Sequence, residues 1–289
     1  MTSMPPETKK VPNMLKKADF LRFFAIFCVF FAFSGHFSRI WAESSLPGLP
    51  WDDPPPEFWF PVGEEIDYYI QWGVFTVGEA TAKTAWTNVD GRRLLTLTVE
   101  AESNGIVEKI YPVKEFLQTV VDPVTFLPLS FVKKSREGRR EHDEITTFDH
   151  KTLKGHWYSK KKQKEKHFDI QPDTRDLMGL MYWIRKDPIG PRETRHYEVM
   201  TDEKLYELIV EAGKREPVSL QKYGRVKCIK MEPKGKFDGM FIRKGRMWLW
   251  LSDDERYAIC RVAASVPVAS IKIMLKNIRG PGDDFWVAD

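Results

Sequence analysis

Short stretches in which apolar and polar residues alternate, each closed by a turn signal, recur along this chain from about residue 62 to residue 279. Alternation sends every second side chain to the same face, the pattern of a half-buried strand. Ile66, Tyr68, Ile70 and Trp72 make one such face, with Asp67, Tyr69 and Gln71 opposite. Residues 74–86 read as a longer strand with a bend or bulge at Gly78. Asp90-Gly91 is a tight hairpin signal, and 94–101 returns as the next strand. Asn104-Gly105 opens a short helical segment at 106–111, followed by a strand at 115–121. Segments 129–134, 140–148, 153–158 and 166–170 then form a four-stranded meander. Strands resume at 196–200, 204–210, 217–220, 225–231, 240–243, 247–251, 257–263 and 271–278. Asp202-Glu203 and Asp253-Asp254-Glu255 supply turns between them.

A longer helix interrupts this series. Leu177, Leu180, Met181 and Ile184 follow helical spacing, with Asp173 or Thr174 as the cap and Pro188 as the stop. Connections this short join antiparallel neighbours. The expected fold is therefore mainly β: an antiparallel curved sheet forming a barrel or half-barrel, with one or two short packing helices. Aromatic residues make up 13% of the chain, which suits broad sheets.

The net charge of +4 is a property of the first 42 residues, which hold six basic and two acidic side chains. The remainder carries 39 of each sign, so charge gives no reason to expect a nucleic-acid partner. Residues 1–42 read as a signal peptide or N-terminal anchor: a polar, basic start precedes the apolar run 20–33, broken by Ser34-Gly35. Ala42 is the expected last leader residue. The run is short for a membrane span. A Pro-rich linker is expected at 43–61, one β-rich domain at 62–279 and a tail at 280–289. An oxidising compartment would permit a disulfide between Cys228 and Cys260; the alternative is two small buried hydrophobes.

Several stretches occur in an order that resembles the DUF3108 family of exported bacterial proteins. They are Val62-Gly63-Glu64, Val77-Gly78-Glu79-Ala80, the helix segment from Asp176 to Arg185, Arg215-Glu216-Pro217-Val218, the segment from Trp248 to Arg256, and Val266-Pro267-Val268-Ala269-Ser270. Ala269 stands where the pattern leads one to expect Gly. The resemblance implies export and a β-rich fold, and it brings no activity and no catalytic residue.

Motifs for phosphate loops, zinc proteases, redox dithiols and serine hydrolases are absent. No cofactor and no metal is expected. His142 and Glu144 share a strand face, which reads as a polar surface before it reads as a metal pair. Glu64-Glu65 reads as a strand entry, and Asp253-Asp254-Glu255 as a turn. Two basic clusters are more informative. Lys133, Lys134, Arg136, Arg139 and Arg140 flank one hairpin, and Lys160, Lys161, Lys162, Lys164 and Lys166 flank another. Alternate turns of a meander fall at one end, so both belong to a candidate rim for anionic ligands. The competing reading is a set of solubilising, edge-protecting lysines. Trp248 and Trp250 form a candidate apolar ligand face, with core packing as the alternative.

These features lead to an exported, periplasmic protein, or one held by an uncleaved leader, without enzymatic activity. It is expected to bind or assemble a hydrophobic or amphiphilic envelope component. Its partners would be a lipid or envelope polymer, or an envelope protein, with membrane contact only through the leader or the basic rim. A structural protein–protein interaction module is the alternative, and a carboxylate-dependent hydrolase ranks third.

Overall fold

The computed structural model describes residues 49–201, 204–237, 240–241, 246–266, 269–284 and 286. The expected leader and the Asp202-Glu203 turn lie outside the described residues. Among the described residues no helix is long and apolar enough to cross a membrane.

One curved sheet of seventeen described strands carries the fold. Its first half is a continuous antiparallel meander: β2 (Glu65–Trp72), β3 (Phe75–Val89), β4 (Arg92–Ser103), β5 (Val113–Val121), β6 (Pro128–Glu137), β7 (Arg140–Asp149), β8 (Lys154–Ser159) and β9 (Lys164–Asp169). Asp90-Gly91 makes the β3–β4 turn as expected, with Val89 opposite Arg92. The irregularity expected at Gly78 is a bulge: Ile70 pairs with Gly78 and Gln71 with Thr76, leaving Val77 extra. Glycine is needed there because a Cβ would sit 2.4 Å from the Glu102 carbonyl oxygen. The short helix α1 (Gly105–Ile110) joins β4 to β5.

The second half consists of β10 (Arg175–Asp176), helix α2 (Leu177–Trp183), β11 (Thr194–Thr201), β12 (Lys204–Leu220), β13 (Gly224–Phe237), β14 (Met240–Phe241), β15 (Arg246–Ser252), β16 (Ile259–Val266) and β17 (Ala269–Arg279). β17 closes back onto β2, so the first and last long strands of the chain are neighbours. The sheet is curved but not closed, and β9 forms a free edge. Two expected strands, 204–210 and 217–220, are one strand, β12, bent by a register shift between Ala212 and Arg215. The helix begins later than expected. Its cap is Asp176, whose Oδ1 accepts from the amides of Met178 and Gly179 and from the Thr119 hydroxyl. Thr174 is occupied elsewhere, donating to Glu198 and accepting from the Gln171 amide.

α2 fills the concave side of the sheet. Leu180 and Ile184 join a core with Ile66, Tyr68, Ile70, Leu249 and Leu275, while Met178 and Tyr182 join a second with Leu97, Leu117, Phe131 and Phe148. The expected linker is not a spacer throughout. β1 (Leu49–Pro50) pairs with β4, and Phe58, Trp59 and Phe60 pack into the second core. The Trp59 indole N–H donates to the Tyr182 carbonyl at 2.7 Å. Proline richness keeps this arm extended, but its aromatic residues dock it. The expected tail is docked too: Trp286 donates to Asp254 and packs edge-on against Tyr223.

Candidate binding rim

The strand directions place four connections at one end of the sheet. The β2–β3 turn closes at Trp72 opposite Phe75, and β4 ends at Ser103 opposite Gly78 before entering α1. The β6–β7 hairpin closes at Glu137 opposite Arg140, held to the α1 side by a Gly138 amide donating to the Pro112 carbonyl. The β8–β9 turn closes at Ser159 opposite Lys164, and its Lys160 amide donates to Asp143 of β7. This end is apolar where sequence reasoning saw only charge. Val74, Phe75 and Ile110 are 86%, 71% and 69% exposed. The signal was an apolar Val-Phe pair beside the turn glycine Gly73, which reads as strand until the register is known.

The two basic clusters do meet here, as the meander argument requires, but they divide into two groups. Lys133 and Lys134 are each only 9% exposed. Lys133 lies opposite Glu144, and Lys134 opposite Asp143. Lys161 pairs with Glu141 at 2.6 Å, and Lys162 with Glu144 at 3.4 Å. Lys166 is exposed on the outermost strand, opposite Trp157. Arg136, Arg139, Arg140, Lys160 and Lys164 are exposed and none is within ion-pair distance of a carboxylate among the described residues, although Arg136 stands opposite Glu141, whose pKa is lowered by Lys161 and, to a lesser degree, by Arg136. These five form the charge available to a ligand.

Glu144 is the centre of the paired group. Burial alone would raise its pKa; the His142 hydrogen bond and the charges of Lys133 and Lys162 outweigh this and hold it down at about 2. His142 Nδ1 lies 3.2 Å from the carboxylate, and the Trp157 indole N–H donates to it at 3.4 Å. His142 and Glu144 therefore do share a face, but the Lys162 ammonium already lies 3.4 Å from the carboxylate and Lys133 stands opposite it, which disfavours a metal cation there. A carboxylate held this low is no general acid at neutral pH. Because the folded pKa is depressed, the stabilisation is present above the ordinary carboxylate range and is lost as pH falls toward 2. Glu144→Gln is expected to remove up to about 3 kcal/mol at pH 7 and almost nothing at pH 2. Urea unfolding at both pH values checks this, and an equal loss at both would refute it.

The opposite end is sealed by a buried ion cluster. Glu64 is fully buried and takes both Nη1 and Nη2 of Arg185, with Arg256 Nη2 at 3.6 Å. Arg185 also donates to the Arg256 carbonyl, and Arg256 donates to the Gly282 carbonyl. Phe60 and Tyr182 cover the Arg185 guanidinium at 5.2 and 5.4 Å. Three separated motifs singled out in the sequence thus end on one cluster: Glu64 from the first, Arg185 from the helix, Arg256 from the β15–β16 segment. Sequence reasoning took Glu64 for a strand entry and missed this meeting.

The remaining sequence candidates are absorbed into structure. Asp253 holds Arg215, while Asp254 accepts from Ser252, the Arg256 amide and Trp286, so the acidic run is a structured turn. A nearby cleft of about 290 Å³, lined by Pro188, Ile189, Arg215, Asp253 and Tyr257, is small for a lipid and partly closed by the Arg215–Asp253 pair. Trp248 and Trp250 do not form an open apolar face. Arg261 and Lys230 cover Trp250 at 4.4 and 5.2 Å, and Arg246 covers Trp248 at 4.9 Å. The Trp250 indole donates to Glu216 at 3.0 Å. Lys230 comes from β13 and Arg261 from β16, while Arg246 lies two residues before Trp248 on β15 itself, and together they make a cation–π ladder. Cys228 and Cys260 are free, fully buried thiols in this structure, one of the two readings the sequence left open. β15 runs between their strands, yet the two thiols lie close enough to interact, and each also donates to a local carbonyl, Val226 or Ala258. The Cys228 thiol and burial push the Cys260 thiol far above the ordinary range.

The DUF3108 family pattern, described as a protein of unknown function, matches residues 67–276. The chain belongs to the DUF3108 family. Among solved structures, a β-barrel-like protein of the DUF1849 domain of unknown function from Brucella abortus is similar in fold. It aligns at a TM-score of 0.51 and 11% identity, covering 75% of this chain and 97% of that one. A candidate lipoprotein from Parabacteroides distasonis aligns at 0.32 and 8%, over 77% of this chain and 98% of its own, too loosely to inform the fold. No curated protein matches the chain. This DUF3108 protein thus shares a barrel-like sheet with its structural neighbour.

Proposed function

We propose that this DUF3108 protein is exported to the cell envelope and acts there by contact, docking its rim on an anionic lipid surface without catalysing a reaction. The carrying observation is that the exposed apolar side chains Val74, Phe75 and Ile110 share one end of the sheet with five exposed, unpaired cations. Apolar tips of this kind sink into the acyl boundary, while arginines and lysines meet the headgroups. Each such cation contributes about 1 kcal/mol near an anionic surface. Five cations and three apolar tips support reversible, salt-sensitive docking. Carriage of a lipid inside the sheet has less support, because α2 and the Phe58–Phe60 arm fill the concavity.

The test keeps the full chain and its leader. A photo-crosslinking residue is placed at Phe75, and as a control at Val124, which is 65% exposed in the β5–β6 turn at the other end. On vesicles of phosphatidylglycerol and phosphatidylethanolamine, lipid adducts should form at position 75 and not at 124. Replacing Arg136, Arg139 and Arg140 by Ala should lower the adduct yield at position 75 at least tenfold, and so should 0.5 M salt. Equal lipid yields at both positions, or adducts only to protein in intact cells, would refute the reading; the latter would favour a protein-interaction module.

A further inference from the structure

We propose that His156, Glu165 and His167 form a binding site for one divalent metal ion of the imidazole-preferring class, zinc foremost. The three side chains come from β8 and β9, at the free edge of the sheet and on the face opposite Lys164, the nearest of the rim's cations. His156 and His167 are direct cross-strand partners, and Glu165 sits two residues before His167 on the same face. The imidazole rings stack with centroids 4.3 Å apart and planes within 10°. His156 Nε2 lies 3.0 Å from Glu165 Oε2, and the three ligand atoms all lie within 4.8 Å of one another. A tetrahedral zinc centre with bonds near 2.0–2.1 Å needs its donors about 3.3 Å apart. The His156–Glu165 pair is already inside that span, and His167 reaches it by rotating an exposed side chain.

The face on which they stand is fixed by packing. Gly155 lies opposite Phe168, whose ring covers it so closely that a Cβ on residue 155 would meet the ring at 2.2 Å. Phe168 and Trp157 therefore face the core, which turns His156, His167 and Glu165 outward. The same alternation carries Lys164 and Lys166 to the other face, so the lysines that crowd this stretch of sequence do not oppose a cation here. Lys154, which shares the outward face, is spent on Asp169. Two imidazoles and one carboxylate suit zinc, nickel or copper; calcium and magnesium demand oxygen ligands. Three protein donors leave one position of a tetrahedral ion open to water or to a donor from another molecule.

The experiment is a zinc titration of the untagged full chain. Heat of binding gives stoichiometry and affinity, and imidazole nitrogen resonances locate the ion. One equivalent should bind, shifting the His156 and His167 resonances together and leaving His150 and His196 unmoved. His156→Ala and His167→Ala should each weaken binding more than tenfold, since even outer-shell changes cost 10–100-fold. Glu165→Gln should weaken it less. His167 is exposed on the edge strand and His156 is half-buried on the outward face beside it, so His167→Ala should keep wild-type thermal stability in the absence of zinc and His156→Ala should stay close to it. Titration of His167→Ala with unchanged affinity would overturn the site, as would a zinc response that follows His142 and Glu144.

Discussion

Glu64→Gln is expected to lower the free energy of unfolding by about 3–5 kcal/mol, because it leaves buried charge without a counter-charge. The effect is large because Glu64 faces both Arg185 and Arg256 from a site with no water access. Glutamine keeps the shape and some hydrogen bonds but removes the negative charge, setting two guanidiniums against each other. For a domain of this size the fall in Tm should be on the order of 10 °C. Arg185→Met should cost less, since Glu64 would still have Arg256. Chemical unfolding followed by near-ultraviolet dichroism gives both values. A loss below about 1 kcal/mol for Glu64→Gln would mean that the cluster is hydrated and does not hold this end shut.

Phe60→Ala should cost nearly as much, about 3–5 kcal/mol, by opening a cavity in the core. Phe60 is buried against Phe58, Trp59, Phe126 and Tyr182, with centroid separations from 4.9 to 6.1 Å. Its ring also covers Arg185, so the two substitutions are not independent. A double-mutant cycle of Phe60→Ala with Glu64→Gln should show a coupling of about 0.5–3 kcal/mol. If Phe60→Ala costs less than about 1 kcal/mol, the arm is peripheral and the domain begins at β2.

The local parts of this fold were legible because they depend on neighbours in sequence. Asp90-Gly91 marks its hairpin, Gly78 its bulge, and the meander its turns. What failed was anything decided across the sheet. The charged stretch from Glu211 to Glu216 reads as a break, yet it is the bent middle of β12, tolerated because Glu211 and Glu216 reach Lys234, Lys230 and Trp250 on neighbouring strands. Asp173 and Thr174 look like caps, but burial gives the role to Asp176. The basic rim was placed at the right end by turn counting. Its division into paired and unpaired cations depends on the register of β6 against β7, which no local pattern encodes. The His156–His167 pair was invisible for the same reason.

The pairing of β17 with β2 has a consequence for how the chain is made. Arg279 and Asp67, 212 residues apart, meet across that seam. Synthesis or export from the N-terminal end presents β2 well before its partner β17, so β2 and β16 each wait with a bare row of amides and carbonyls. Pairings that distant are slow to form, and a half-made sheet invites the wrong neighbour. A chain stopped before residue 269 should therefore be cleared or aggregate and not persist as a smaller version of itself. Any factor that shields unfinished sheet edges until β17 pairs with β2 should therefore raise the yield of folded protein.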